Sequence, residues 1–410
     1  MVASPDPIAI TGLGACCPLG SDLATSWQAF QSGESGIQPL PESWSSDLPS
    51  QVGGITHADI HSLLKPHIAR RLDRSTQLAL LASSEAWRHA GTPPTPSERL
   101  GVVFGTGIGG VSSGGAQFQL LQEQGPRKVN PLTVPMVMPN AVATQVALQL
   151  GAQGPVEAPV SACATGADAI AWGVQLLHTG QVDRVVVGGC EALVNRFGIA
   201  AFGAMQALSP EKDNPSQASR PFDQIRNGFV MAEGAAALVL EPLSQAKQRG
   251  ATVHALLRGH GTSFDAHHIT APHPDGLQAE RAMRLAMTAA GIQPEAITFI
   301  KAHATGTPHG DPAEAKALSR IFSKYKPWVI APKAQTGHLI GGAGALEAVL
   351  TVLCLREGIL PPQQNCPNPD PALTLPLPTK HTQLPPGQKF AVANAFGFGG
   401  KNVALVISSA

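Results

Sequence analysis

The stretch VSACATGADAIAWGVQLLH, Val160 to His178, sets a single cysteine between two alanines ahead of a long run of small and apolar residues. Gly166, Ala167, Ala169, Ala171 and Gly173 leave one face of the predicted helix almost bare, so neighbouring backbone can approach closely and bury it. Cys163 falls in its first turn. Unpaired amides and the helix dipole favour negative charge there, which predicts a depressed thiol pKa and a larger thiolate fraction. A small cysteine packed in a core fits the same residues, and the stretch alone leaves both readings open.

At 410 residues the chain exceeds the usual size of one core, and two intimately packed halves are expected. Charged residues make up 14% and hydrophobic ones 43%, against roughly 25% charged in ordinary soluble domains. Much of the surface is therefore expected to be covered, most simply in an oligomer. A net charge of zero argues against binding nucleic acid or another polyanion as a property of the whole chain. The cysteines Cys16, Cys17, Cys163, Cys190, Cys354 and Cys366 include no C-x-x-C pair, and the start MVASPDPIAI lacks a basic region ahead of a long apolar one. Neither zinc nor secretion is supported. No apolar run approaches the roughly 18 residues of a membrane span, so a reduced, cytoplasmic protein is expected.

Strand and helix signals alternate along the chain. Ile8 to Thr11 reads as a buried strand, Leu23 to Gln31 as a helix, and the segment with Arg70, Arg71 and Arg74 clustered at its start as an amphipathic helix, with Leu72, Leu78, Leu81 and Trp87 on its apolar face, reaching Gly91. By itself that basic cluster reads as a solvated face. Leu100 to Phe104 is a strand running into GTGIGGVSSGG, residues 105–115. This loop lacks the phosphate-cradle pattern and shows no clear helix start, so close packing is its expected role. A helix is predicted from Ala141 to Leu150, and VDRVVVGGC, with its continuous valines, is a strand covered on both faces and ended by a core Cys190. Further strands are predicted at Ala235 to Glu241, Val253 to Leu257, Ile297 to Ile300, Trp328 to Ile330, Phe390 to Ala393 and Val403 to Ile407. Such alternation means layered α/β. QTGHLIGGAGALEAVLTVL, residues 335–353, echoes the cysteine stretch as a Gly/Ala-rich opening followed by an apolar helix, which points to two copies of one unit.

Polar groups gather at three points on this background, each at a strand end or a helix start. They are Cys163, then KAHATGTPHGDPAEA (301–315) with His303, Asp311 and Glu314, and PKAQTGHLIGG (332–342) with Lys333 and His338. One histidine after a strand is ordinarily a satisfied core residue. Two histidines, a lysine and a cysteine, each flanked by Thr/Gly loops, are harder to explain as packing alone.

The motifs SACATG, AHATGTPHGD, KAQTGHLIGGAGALE and NAFGFGG, with RPFDQIRNGFVMAEGAAALVLE (220–241) and FDAHHITAPHP (264–274), resemble the β-ketoacyl-[acyl-carrier-protein] synthases of the thiolase-fold superfamily almost end to end. The likeness is nearest to the ketoacyl synthase II type. It implies a duplicated, five-layer αβαβα thiolase-like fold, with halves 1–251 and 252–410, acting as a homodimer on acyl and malonyl groups carried by acyl carrier protein. Cys163 would carry the acyl chain as a thioester. His303 and His338 would hold the malonyl carbonyl as carbon dioxide leaves, and the amides of Cys163 and Phe398 would form the oxyanion hole. Lys333 and Glu314 would form a charged support behind the histidines, and Phe398 a gate. Ile108 and Phe202 would line the acyl pocket, and Arg70, Arg71, Arg127 and Lys128 would dock the carrier protein. No metal or organic cofactor is implied.

Three positions depart from the family pattern: Lys401 where threonine is common, Ala304 where glycine is common, and Gln206 where an arginine often faces the carrier protein. They leave the four chemical groups untouched and bear on gate, partner and substrate, so a polyketide-type ketosynthase is the alternative reading. A non-catalytic chain-length-factor-like partner would have lost the nucleophile. A thiolase would need a second cysteine late in the chain, and Cys366 lies outside any glycine-rich loop.

Overall fold

The computed structural model describes residues 6–410. Ten strands form one sheet: β1 (Ile8–Cys16), β2 (Leu100–Thr106), β3 (Val156–Glu157), β4 (Arg184–Glu191), β5 (Gly234–Pro242), β6 (Ala255–Phe264), β7 (Ile297–Lys301), β8 (Trp328–Ile330), β9 (Phe390–Phe396) and β10 (Lys401–Ser408). Their order is β8-β7-β9-β10-β6-β1-β5-β4-β2-β3. Each half of the sheet repeats one pattern. In β3-β2-β4-β5-β1 the first two pairings are parallel and the next two antiparallel. The series β8-β7-β9-β10-β6 does the same. The halves meet where Ile8–Ile10 pairs antiparallel with Ala255–Leu257.

Nine helices of nine or more residues pack around the sheet among the described residues: α1 (Leu23–Ser32), α2 (Arg74–His89), α3 (Val111–Gln124), α4 (Ala141–Leu150), α5 (Thr165–His178), α6 (Arg196–Ala204), α7 (Leu277–Ala290), α8 (Gly310–Phe322) and α9 (Ala343–Glu357). Helices α2 and α4 cover the outer face of the first half, and α7 and α8 that of the second. Between the halves lie α5 and α9, which touch both and each other. This is the five-layer αβαβα arrangement of the thiolase fold. None of these helices is long and apolar enough to cross a membrane.

The middle layer explains the small residues. Every side chain of α9 from Ala343 to Leu355 is buried, as an apolar helix without a polar face must be. A Cβ on Gly166 of α5 would stand 2.5 Å from the Ala345 amide nitrogen of α9, and one on Gly344 would stand 2.6 Å from that of Ala167. The contact is reciprocal, glycine against alanine in both directions.

Two expectations need correction. The glycine-rich stretch 105–115 runs directly into α3, which starts at Val111 despite two serines and two glycines in its opening turns. Strand β1 extends to Cys16, well beyond Thr11, because Gly12 and Gly14 let the carbonyls of Ala86 and Ala82 in α2 lie where a Cβ would be, 2.2 and 2.1 Å away. Strand propensity alone stops at such glycines.

The α5/α9 contact sets a prediction. Gly166→Val forces a branched side chain into the Ala345 backbone and should destabilise the chain by about 3 kcal/mol or more, beyond ordinary overpacking. Denaturant melts of the variant and its parent measure this.

Candidate active site

Cys163 sits on a single turn of 3₁₀ helix, Ala162–Ala164, that feeds α5. The turn is braced by Thr165, whose Oγ1 accepts from the Ser161 amide at 2.9 Å and donates to the Ala162 carbonyl at 2.8 Å. Ala162 takes a left-handed φ of +49°, which aims the cysteine toward the second half. Against this turn lies Gly397, where a Cβ would stand 2.6 Å from the Ser161 carbonyl oxygen. The amides of Phe398 and of Cys163 itself act on the sulfur in the sense that lowers its pKa.

The thiol corrects the expectation of a depressed pKa. Cys163 is only 4% exposed, and burial pushes it up to about 11 although the Phe398 amide and the Lys333 charge both work the other way. Loss of water outweighs the nearby amides, the Lys333 charge and a helix start.

His303 follows β7 directly. Its amide, with that of Ala304, donates to the two oxygens of Glu314 on α8 at 2.8 and 2.7 Å. Lys333 Nζ donates to the His303 carbonyl at 2.6 Å and lies 3.5 Å from His303 Nδ1. An ammonium only donates, so Nδ1 is the acceptor and the ring proton sits on Nε2. His338 is fixed through its backbone, its amide on the Val230 carbonyl at 2.7 Å and its carbonyl on the Ala232 amide at 2.9 Å. Its two ring nitrogens are buried with no hydrogen-bond partner among the described residues. The rings of His303 and His338 stand edge to face, 5.5 Å apart. Desolvation first, then the Lys333 charge, hold both imidazoles well below their usual pKa.

Cys163, His303 and His338 line one cavity of about 210 Å³ together with Phe229, Phe396, Phe398 and Glu314. Phe202 packs 6.3 Å from Phe398 and edge-on to Phe229 in the apolar cluster that contains Cys163. Gln206 lines the same cavity with φ of +54°. The other expected site residues stand elsewhere: Ile108 is 43% exposed, and Arg70, Arg71, Arg127 and Lys128 are exposed residues outside the cavity lining.

The support behind the histidines differs from expectation. Lys333 pairs with Glu347 on α9, and Glu314 is occupied by the two amides and by Asn394 Nδ2 at 2.9 Å. Glu347 carries a second lysine, Lys301, at the end of β7. Burial pulls Lys301 below its usual pKa while Glu347 holds it up. The sequence reading missed Lys301, Glu347 and Asn394, and also Glu191, a fully buried carboxyl pushed up to about 7 that ties Thr106, Gly107 and Gly341 beneath the Cys163 turn. A lone Glu347 in the apolar run ALEAVL, and a lysine closing the buried strand ITFIK, were the available signals. Lys401 ion-pairs with Asp168 of α5 at 3.2 Å, tying the strand after the Gly397–Gly400 turn to the nucleophile's helix.

This fold with this Cys-His-His site defines a thioester-handling acyltransferase of the thiolase type. The family models place it further: residues 5–246 match the β-ketoacyl synthase N-terminal domain and residues 254–367 its C-terminal domain. The chain belongs to the β-ketoacyl synthase family. It is 37% identical over 407 residues to a 3-oxoacyl-[acyl-carrier-protein] synthase 2 of Coxiella burnetii, covering 98% of both chains. Against the protein of the same name from Synechocystis it is 38% identical over 409 residues, covering 97% of both. Among solved structures it is similar to a β-ketoacyl synthase from Burkholderia phymatum, at 30% identity and a TM-score of 0.90, covering 99% of this chain and 100% of that one. It is also similar to the type II polyketide synthase acyl-carrier protein complex with its ketosynthase bound to the hexaketide, at 28% identity and a TM-score of 0.90, covering 99% and 100%.

A thiol pushed up to about 11 is protonated at neutral pH. The rate of Cys163 alkylation by iodoacetamide should rise about tenfold per pH unit from 7 upward, as its thiolate fraction does. A plateau between pH 6 and 8 would show a depressed pKa instead.

Proposed function

We propose that the chain catalyses the decarboxylating Claisen condensation of an acyl group with malonyl-acyl carrier protein, giving 3-oxoacyl-acyl carrier protein in fatty acid elongation. One observation carries this reading: a cysteine and two neutral histidines share a cavity in which His303 is held as an Nε2–H donor. In the first stage Cys163 Sγ attacks the carrier-bound thioester, the carrier thiol leaves, and the cysteine's proton goes to it. The ring of His338, without a hydrogen-bond partner among the described residues and lining the same cavity as Cys163, relays that proton. The amides of Cys163 and Phe398 receive the tetrahedral oxyanion. In the second stage the malonyl carbonyl accepts from His303 Nε2–H and from His338. The bond to the carboxylate breaks, carbon dioxide leaves, and the resulting enolate carbon attacks the acyl-enzyme and expels the Cys163 thiolate, which takes a proton from solvent. Lys333 supports the pair, with Glu314 anchoring the His303 backbone.

The remaining assignments are part of this reading. Phe398 gates the cavity, Phe202 and Ile108 border the acyl pocket, and the chain divides at residues 251 and 252. A homodimer is supported by the apolar side chains left exposed on the first half: Leu148 and Val134 at 68%, Val160, Trp172, and Val156 on the free sheet edge β3. In that arrangement Ile108 lies at the seam. Six unpaired thiols fit a reducing, cytoplasmic setting. Arg70, Arg71, Arg127 and Lys128 form the patch for an acidic carrier protein, where complementary charge speeds encounter.

Two outcomes are expected. Cys163→Ala should lose acyl transfer and condensation yet still release carbon dioxide from malonyl carrier protein. His303→Ala should lose about a hundredfold or more in decarboxylation, while acyl transfer to Cys163 survives better. Labelled carbon dioxide release and trapping of the acyl-enzyme separate the steps, and a folded Cys163→Ala protein that cannot decarboxylate would overturn the division. Reversing Arg70 and Arg71 to glutamate should raise KM for the carrier-bound substrate and leave small thioester mimics unchanged. Equal losses on both would point to folding damage instead, and an unchanged KM for the carrier-bound substrate would place the patch elsewhere.

A further inference from the structure

Behind the two histidines stand two carboxylates and two ammonium groups, all buried. Glu314 faces the site from α8 and Glu347 from α9, while Lys301 comes from the end of β7 and Lys333 from the turn before His338. Both lysines are 1% exposed. Glu347 Oε1 accepts from Lys333 and Oε2 from Lys301, and Lys301 also donates to the Asn394 carbonyl on β9. Lys301 is the only side chain bonded to Oε2 among the described residues.

Consider the site without it. A carboxylate oxygen in a dry interior would turn to the nearest donor, Lys333, and draw Nζ away from His303 Nδ1. The charges would become uneven as well, with two carboxylates against one ammonium. An enolate oxygen forming in the cavity would then face a net negative charge at low dielectric.

We propose that Lys301 is a positioning residue for the condensation, holding Glu347 by one oxygen so that Lys333 stays on His303, and offsetting the second carboxylate behind the histidine pair. The inference rests on the condensation reading and names the residue that sets the charge of its decarboxylation step.

The test is a charge-compensation series read on malonyl carrier protein. Lys301→Met removes the ammonium at nearly constant volume and should lower carbon dioxide release tenfold or more, with acyl-enzyme formation at Cys163 less affected. Adding Glu347→Gln removes the unmatched carboxylate, and the double variant should recover most of the loss. A residue that only fills space or holds the Asn394 carbonyl is not rescued by neutralising its neighbour. The acidic limb of the decarboxylation profile should move to higher pH in Lys301→Met, because removing a cation beside the rings raises their affinity for a proton. If Lys301→Met does not fold, Lys301→Gln, which keeps a donor for Asn394, takes its place. A loss of no more than twofold, or a double variant as slow as the single one, overturns the inference. A parent protein that releases no carbon dioxide would instead sink the condensation reading. The ¹⁵N spectrum of histidine-labelled protein then still decides on Lys301. The parent should show His303 as one Nε2–H tautomer and Lys301→Met a mixture, and identical spectra would overturn the proposal.

Discussion

The site depends on how closely two helix backbones approach one another. The Cys163 turn leads into α5, and the His338 turn leads into α9, and the two helices touch within their first turns through Gly166 against Ala345 and Gly344 against Ala167. A side chain at either glycine would part the helices and with them the cysteine and the histidine. The duplicated sheet order makes this geometry available, because each half places its middle-layer helix after an equivalent strand. The glycines make it tight. Packing in the middle layer and alignment of the reacting groups are thus one constraint.

Burial has opposite effects on the two kinds of reacting group. It raises the Cys163 thiol and lowers both imidazoles, so all three face the cavity uncharged near neutrality. Formal charge is kept one layer back, where every member has a partner. Glu314 accepts from two amides and Asn394, and Glu347 from two lysines. Unpaired ions there would cost several kcal/mol each. In the proposed reaction negative charge arises only as bonds break, on oxygens that would face fixed donors, and the donors would not need to reorganise to receive it.

The sequence made the layered class, most strands and the three polar clusters legible, because each leaves a local signal: continuous valines in β4, bare helix faces, and Thr/Gly loops around Cys163, His303 and His338. What it hid is set by long-range contact. The pairing of Lys333 with Glu347 instead of Glu314 depends on how α9 lies against β7 and β9. Lys301 looks like the end of a strand until Glu347 arrives from 46 residues away. The thiol was misjudged for the same reason. A helix start is local, whereas the loss of water around Cys163 comes from Phe202, Phe229, Ile340 and Phe398, scattered over the chain. The short edge strand β3, two residues long, carries too little pattern to be read at all.

Backbone strain is also present at the site. Ala162, Ala304 and Ile340 have positive φ, +49°, +23° and +45°, and they flank Cys163, His303 and the turn after His338. None is glycine, and for a β-branched isoleucine the conformation is rare. Each costs of order 1 to 3 kcal/mol and persists only where the surroundings over-determine it. The surroundings here are identifiable: Thr165 braces the first, Glu314 pins the second through the Ala304 amide, and the third lies between the Glu191-bound amide of Gly341 and the backbone-held His338. Glu314 and Glu191 therefore act on conformation as well as charge. The buried carboxyls hold the backbone bends that aim the reacting side chains at one another, which is why they stand where an apolar residue would pack more cheaply.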